Sequence, residues 1–329
     1  NSVSGENSVS GKGSLLEHFR ERVKILKHHP DQKEEMALLG VTESNETLVI
    51  QRALFEAEFV LPIGYFQSKN TPGYVGIHTP IYPAFSDTET QKRFLGFGPK
   101  MHVTQHALMH ELEREIEDAT RQLGVFCMMQ ILPGIPQVEV SIMEPSEILE
   151  VSKNTESLKM SGIARILVGN YEEVARDGYS QYQEIWTNLT SQKADLVLAT
   201  ITGRDSGSWT TVMRALENAA KIADADNGVI VLCTELTGEL PRSLEIYRQV
   251  QDTETAEKFI RREKLPDADS AVSMINILSQ YRVFFISRLD GELLEDINIM
   301  SLESVADLER LIANTGKCTI LPDVHRMIM

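Results

Sequence analysis

The chain has 329 residues, a formal net charge of −16, 42% hydrophobic and 24% charged residues. That length exceeds one ordinary core and favours two domains, while the acidic balance argues against non-specific binding to nucleic acid or anionic membrane, both of which need clustered Lys and Arg. No apolar run approaches the roughly twenty residues of a membrane span, no signal peptide is expected, and Cys127, Cys233 and Cys318 lie scattered in apolar sequence, as buried thiols of a cytoplasmic protein would.

Residues 1–14, NSVSGENSVSGKGS, offer almost nothing to bury and read as a disordered leader. From Leu15 the chain is mostly polar, with RVKIL a short strand candidate before the His28-His29-Pro30 turn. Strands are expected at Thr47–Ile50 and Glu58–Ile63, the second leading into a Gly- and Pro-rich loop, Thr71 to Pro80, whose backbone can approach a ligand closely. Ser86 to Phe94 reads as a helix capped by Ser86 or Asp87 with Glu89 completing the box, and Thr104 to Leu123 as a longer helix burying Leu108, Leu112, Ile116 and Ala119. Phe126–Leu132 and Gln137–Met143 read as paired strands around Pro133-Gly134-Ile135-Pro136, and Glu172 to Thr187 as a helix joining two halves. The division is placed near Asn188, giving an N-terminal domain over 15–187 and a C-terminal domain over 188–329.

The second half opens with Leu196–Ile201, an apolar run of strand length. A polar loop, Thr202 to Ser208, follows, with Ser206 or Ser208 able to cap a helix whose Val212, Leu216, Ala219 and Ile222 share one face. A second strand, Gly228–Thr234, completes a βαβ unit, for which parallel strands are expected. Helices near 243–250, 255–262, 267–278 and 304–313 alternate with strands at 283–287 and 318–321. Strands alternating with helices imply an α/β fold class, with the second domain a three-layer unit around a mainly parallel sheet. Ligands of such sheets sit beyond the carboxyl ends of the strands, which points to the loop carrying Arg204, Asp205 and Ser206.

Other chemistry is sparse. His102, His106 and His110 would share a helical stripe with Glu113 and Glu117, a possible metal set, although Leu108 and Leu112 turn that stripe towards solvent. His78 lies in the Gly-Pro loop, where a backbone-bonded histidine and a functional one are equally compatible with the sequence. Trp209, at the head of the helix after the Arg204 loop, could wall a small-molecule pocket or pack over the sheet end. The GxGxxG fingerprint, the P-loop and the GxSxG elbow are all absent.

The runs ADLVLATITG, RALENAAK and GVIVLCTEL, together with HHPDQKEEMALLGVTESNETLVIQRALFEAEFVLPIG upstream, resemble the nickel-dependent lactate racemase family over most of the chain. The resemblance implies two α/β domains with mainly parallel sheets and a ligand cleft between them, a small 2-hydroxy acid as ligand, a possible racemase or epimerase activity and a nickel-pincer nucleotide, held in the family by a thioamide to a loop lysine. It implies that Tyr74, Gly76 and Thr79 line the cofactor loop, that His78 is a catalytic and metal-ligating candidate, and that Arg204 and Trp209 contact substrate. The family lysine falls on His78 or Thr79 here, a family histidine falls on Leu95, and the family's DD.TR and G.HR..T elements are not found before Leu15. Two expectations follow: a divergent racemase using His78 and Arg204, or a degenerate paralogue or fragment with the family fold, a ligand-binding or structural protein without turnover.

Overall fold

The computed structural model describes residues 23–42, 45–67, 76–95, 106–135, 142–143, 162–187, 192–265 and 267–329. The expected leader, Tyr74, His102, most of the 137–143 strand and the boundary residue Asn188 lie outside the described residues.

The first described element is a hairpin. β1 (Met36–Val41) and β2 (Thr47–Gln51) pair antiparallel, with Asn45 in the left-handed conformation (φ 65°) that such a turn requires. The RVKIL stretch before it forms no strand over its described residues, and Val23, Ile25 and Leu26 are exposed. A short helix α1 (Arg52–Phe55) leads to β3 (Ile63–Tyr65), later and shorter than expected. Helix α2 (Thr88–Leu95) is capped by Asp87, whose carboxylate accepts the Thr90 amide at 2.8 Å, so of the two candidate caps Asp87 is the one used. Helix α3 (His106–Gln122) buries Leu112, Ile116 and Ala119 against Leu48, Ile50, Tyr82 and Phe94 in a satellite core.

β4 (Met128–Leu132), β5 (Ile142–Met143), β6 (Arg165–Gly169) and helix α4 (Tyr171–Trp186) follow, the helix capped by Asn170 accepting from the Glu173 amide. The second half runs β7 (Leu196–Thr200), a 3-10 turn Gly203–Gly207, α5 (Trp209–Ile222), β8 (Val229–Cys233), α6 (Arg242–Val250), α7 (Thr253–Glu263), α8 (Ala268–Gln280), β9 (Arg282–Ile286), α9 (Gly291–Glu295), β10 (Met300–Ser301), α10 (Val305–Ala313) and β11 (Cys318–Leu321).

Two sheets dominate. The larger has the order β10-β9-β8-β7-β11-β5; its first five strands are parallel and β5 is antiparallel to β11. The βαβ unit β7-α5-β8 is as expected, with Val212, Leu216, Ala219 and Ile222 all buried. The smaller sheet is mixed: β4 lies between β3, parallel, and β6, antiparallel. The expected pairing of 126–132 with 137–143 is therefore not made, because both edges of β4 are occupied and β5 joins the larger sheet instead.

One core crosses the expected boundary. Phe66, Met128, Val174, Tyr182 and Trp186 pack in the same cluster as Val197, Leu216, Ile230 and Phe285. Helix α4 is the link: its Trp186 indole N–H donates to the Pro133 carbonyl at 3.0 Å, its Tyr182 hydroxyl to the Arg326 carbonyl at 2.8 Å, and the Trp186 carbonyl accepts from the Ile328 amide at 2.8 Å. Gly178 lets Phe66 lie against the helix, where a Cβ would stand 2.2 Å from the phenyl Cε2.

Candidate functional site

At the carboxyl end of β7 the loop 202–208 is a braced turn. The Asp323 carboxylate accepts both the Thr202 amide and the Thr202 hydroxyl at 2.8 Å, and the Asp323 amide donates to Thr200 Oγ1 at 3.2 Å. Asp323 holds a left-handed backbone (φ 45°) to do so. Thr234, at the end of the neighbouring strand, donates to the Ser206 carbonyl at 2.6 Å, and the Ser206 hydroxyl to the Gly203 carbonyl at 2.6 Å. Neither serine caps α5: Ser206 is spent on the turn, and Ser208, at the N-cap position, makes no side-chain cap bond. Arg204 belongs to this turn, and its side chain lies outside the described residues. Trp209 donates its indole N–H to the Glu239 carbonyl at 3.0 Å and packs partly against the core, so its polar edge is already committed.

The basic group brought inside the protein is a different one, Arg214. It projects from α5 at 9% exposure, and its Nη1 is sealed from solvent without a hydrogen-bond partner among the described residues. Burial pulls the guanidinium below its ordinary pKa, opposed by Tyr182 and Glu217 and reinforced by Arg326. One turn on, the Asn218 amide donates to the carbonyls of Val324 and Met327, at 2.9 and 3.0 Å. Arg214, Glu217, Asn218 and Lys221 form the polar stripe of α5, which reads as a solvent face in the sequence; the segment after β11 closes over part of it. Nothing within the helix signals that cover. A hint lies elsewhere, in Val324, Met327, Ile328 and Met329 of the last segment, whose apolar side chains need a surface to pack on.

His78 occupies the turn between Gly76 and Ser86, at 7% exposure. Gly76 has φ 141°, open to glycine and strained for other residues, and its carbonyl accepts the Thr79 amide at 3.0 Å. The His78 carbonyl accepts the amides of Ile81 and Tyr82 at 2.8 and 3.1 Å. The imidazole stacks on Tyr171 with ring centroids 4.4 Å apart and planes 17° from parallel. Its Nδ1 is buried without a partner among the described residues, and burial lowers its pKa to about 4, so the ring is neutral at physiological pH. Tyr171 is the first residue of α4, and the positive end of that helix disfavours a cationic imidazole in the same sense. The Tyr171 hydroxyl is itself held above its ordinary pKa by burial and by Glu117, Glu113 and Glu172.

His78 and Arg214 neighbour different parts of α4. Their neighbours on α4, Tyr171 and Tyr182, are eleven residues apart, roughly 16 Å along a helix axis. The expected histidine-carboxylate stripe on α3 gathers no metal set: His110 bonds Glu113 at 3.0 Å on the exposed surface, and among the described residues no three His, Cys, Asp or Glu side chains converge. The described part of the expected cofactor loop, Gly76 to Ser86, contains no lysine, so the amine that a thioamide linkage needs is not found among the described residues there.

No helix among the described residues is long and apolar enough to cross a membrane. Neither a family model nor a curated protein matches the sequence. Solved structures do match in shape. The lactate racemase apoprotein from Thermoanaerobacterium thermosaccharolyticum superposes with a TM-score of 0.62 at 17% identity, over 96% of this chain and 75% of that one. A protein from Thermotoga maritima, known from a crystal structure, gives 0.52 at 13% identity, over 88% and 76%. The mixed α/β architecture of this chain is thus a divergent version of the lactate racemase fold.

Proposed function

We propose that this chain binds a small carboxylate of the 2-hydroxy-acid class at Arg214, as a binding protein built on the lactate racemase fold, without turnover through a covalent pincer. The observation that carries this reading is the sealed, unpaired Nη1 of Arg214. A buried charge without a partner costs several kcal/mol, and a carboxylate would supply both the opposite charge and two acceptors for the guanidinium fork. Ligand class follows from the fold relative, which is a lactate racemase. The role that the sequence suggested for Arg204 passes in this reading to Arg214, ten residues on, and the N–H of Trp209 is not available to ligand. The free thiols Cys127, Cys233 and Cys318 favour a reducing compartment, the cytoplasm.

Isothermal titration with L-lactate, D-lactate, glycolate and the uncharged lactamide tests the reading. Saturable heat from the acids, none from lactamide, and loss of the signal in Arg214→Gln are expected. Equal heat in the variant, or none from any acid at 50 mM-scale concentrations, counts against it.

A second reading, 2-hydroxy-acid isomerase, is favoured by His78, a neutral buried imidazole with an unpaired Nδ1. It requires His78 and a carboxylate anchor to reach one ligand, and Arg214 lies about three helical turns away along α4. Incubation of L-lactate followed by chiral chromatography distinguishes the two: D-lactate formation that disappears in His78→Gln would establish the isomerase.

A further inference from the structure

The smaller sheet carries apolar side chains on both of its faces. Towards α4 it buries Met128 and Leu132. On the opposite face the strand register aligns two rows, Ile63–Met129–Val168 and Tyr65–Ile131–Ile166, across all three strands. Ile63 is 61% exposed, Val168 59%, Ile166 55% and Tyr65 47%. At one corner the exposed rings of Phe59 and Phe126 stack against each other, centroids 5.4 Å apart.

A sheet with one solvated face normally alternates apolar-in with polar-out. Here the outward rows contain no charge and no amide; the amide on β4, Gln130, points inward and is 1% exposed. The pattern is that of an internal layer. Both edge strands, β3 and β6, also lack a further partner among the described residues.

We infer that this face is where a second copy of the chain docks, sheet against sheet across a two-fold axis. Three observations select a second copy over other occupants. The surface is the open face of a three-stranded sheet rather than a groove for a helix or an extended peptide, and such a face packs well against another apolar sheet. A chain of net charge −16 repels its own copies everywhere except at an uncharged face, and these rows are uncharged. The area is also sufficient: at roughly 100 Å² for each of six or seven exposed side chains, the face exceeds the few hundred Å² carried by monomers and approaches the ~800 Å² per partner of a stable complex.

Analytical ultracentrifugation of the full chain tests the inference. Twice the 36.9 kDa chain mass is expected at micromolar concentration. Ile63→Lys and Val168→Glu place charges at positions open to solvent in the single chain, so each should leave the circular dichroism unchanged while weakening association by ~100-fold or more. Val305→Glu, at a 71% exposed position on α10, should leave the dimer intact. If the face variants fail to fold, hydrogen exchange on the unaltered chain reads the same contact, as protection of 63–65 and 165–169 that rises with protein concentration. A monomer at every concentration, a dimer indifferent to both face variants, concentration-independent exchange, or a stable complex with a different protein on this face overturns it.

Discussion

Arg214 and His78 are both buried polar groups with one nitrogen left unpaired among the described residues, yet they bear on stability in different ways. The guanidinium stays charged, and Glu217 only partly offsets its burial, so Arg214→Met should raise the unfolding free energy by about 1–4 kcal/mol while abolishing acid binding. Denaturant titration of both proteins checks this; a destabilised variant would make Arg214 a structural residue. His78 escapes the same cost by staying neutral. Its folded pKa of about 4 lies below the ordinary 6.5, so between those values the unfolded chain holds a proton that the folded chain lacks. Its contribution is therefore complete above pH 6.5 and is lost as pH falls towards 4, amounting to about 2 kcal/mol between pH 7.5 and pH 5. His78→Phe should flatten that part of the stability profile, and an unchanged profile would mean that water reaches the ring. The thiols offer a simpler test. Burial pushes Cys233 up to about 11 and Cys318 to about 12, so iodoacetamide at pH 8 should label the partly exposed Cys127 first in the native protein, as peptide mass mapping would record.

At the scale of elements, two contacts hold the first half in place. The Glu115 carboxylate on α3, 4% exposed, accepts the Tyr82 hydroxyl at 2.8 Å and both terminal nitrogens of Arg93 on α2, Nη1 at 2.6 Å. This ties the loop after His78 to both helices. Glu115→Gln keeps the shape and removes the charge, leaving Arg93 without its counter-ion, and should cost about 3 kcal/mol by the usual penalty for breaking a buried pair. The contact of Phe66 with Gly178 is the other. Gly178→Ala forces the phenyl ring away from α4 and should cost about 1–3 kcal/mol through overpacking, read from the thermal midpoint. Only part of this was legible beforehand. The Asp87 cap, the periodic faces of α3 and α5 and the β7-α5-β8 unit all rest on local pattern, and the structure has them where that pattern puts them. The pairing of β4 was not legible, because a short, mostly apolar strand fits many neighbours and its real partners, β3 and β6, lie well outside the supposed hairpin in sequence. Arg214 was hidden for a related reason: a polar stripe reads as solvent-facing until one knows which distant segment covers it.

For the whole molecule, α4 decides how the halves behave. Trp186 and Tyr182 share a core with strands of the larger sheet, and the expected division near Asn188 interrupts no gap in packing among the described residues. Unfolding followed by tryptophan fluorescence and by far-ultraviolet circular dichroism should give coincident transitions; two separated midpoints would instead divide the chain into independent units.

Strand order carries one more consequence, for how the chain reaches this state. β7 is flanked by β8, which follows it closely, and by β11, whose edge is anchored where the Lys317 amide meets the Asp195 carboxylate across 122 residues of sequence. A refolding chain therefore forms the local β7-α5-β8 unit early and waits for β11, with the other edge of β7 bare in the interval. That waiting species, more than the finished fold, is where self-association through an open strand edge would compete with productive folding, and dilution during refolding is the condition that favours the native protein.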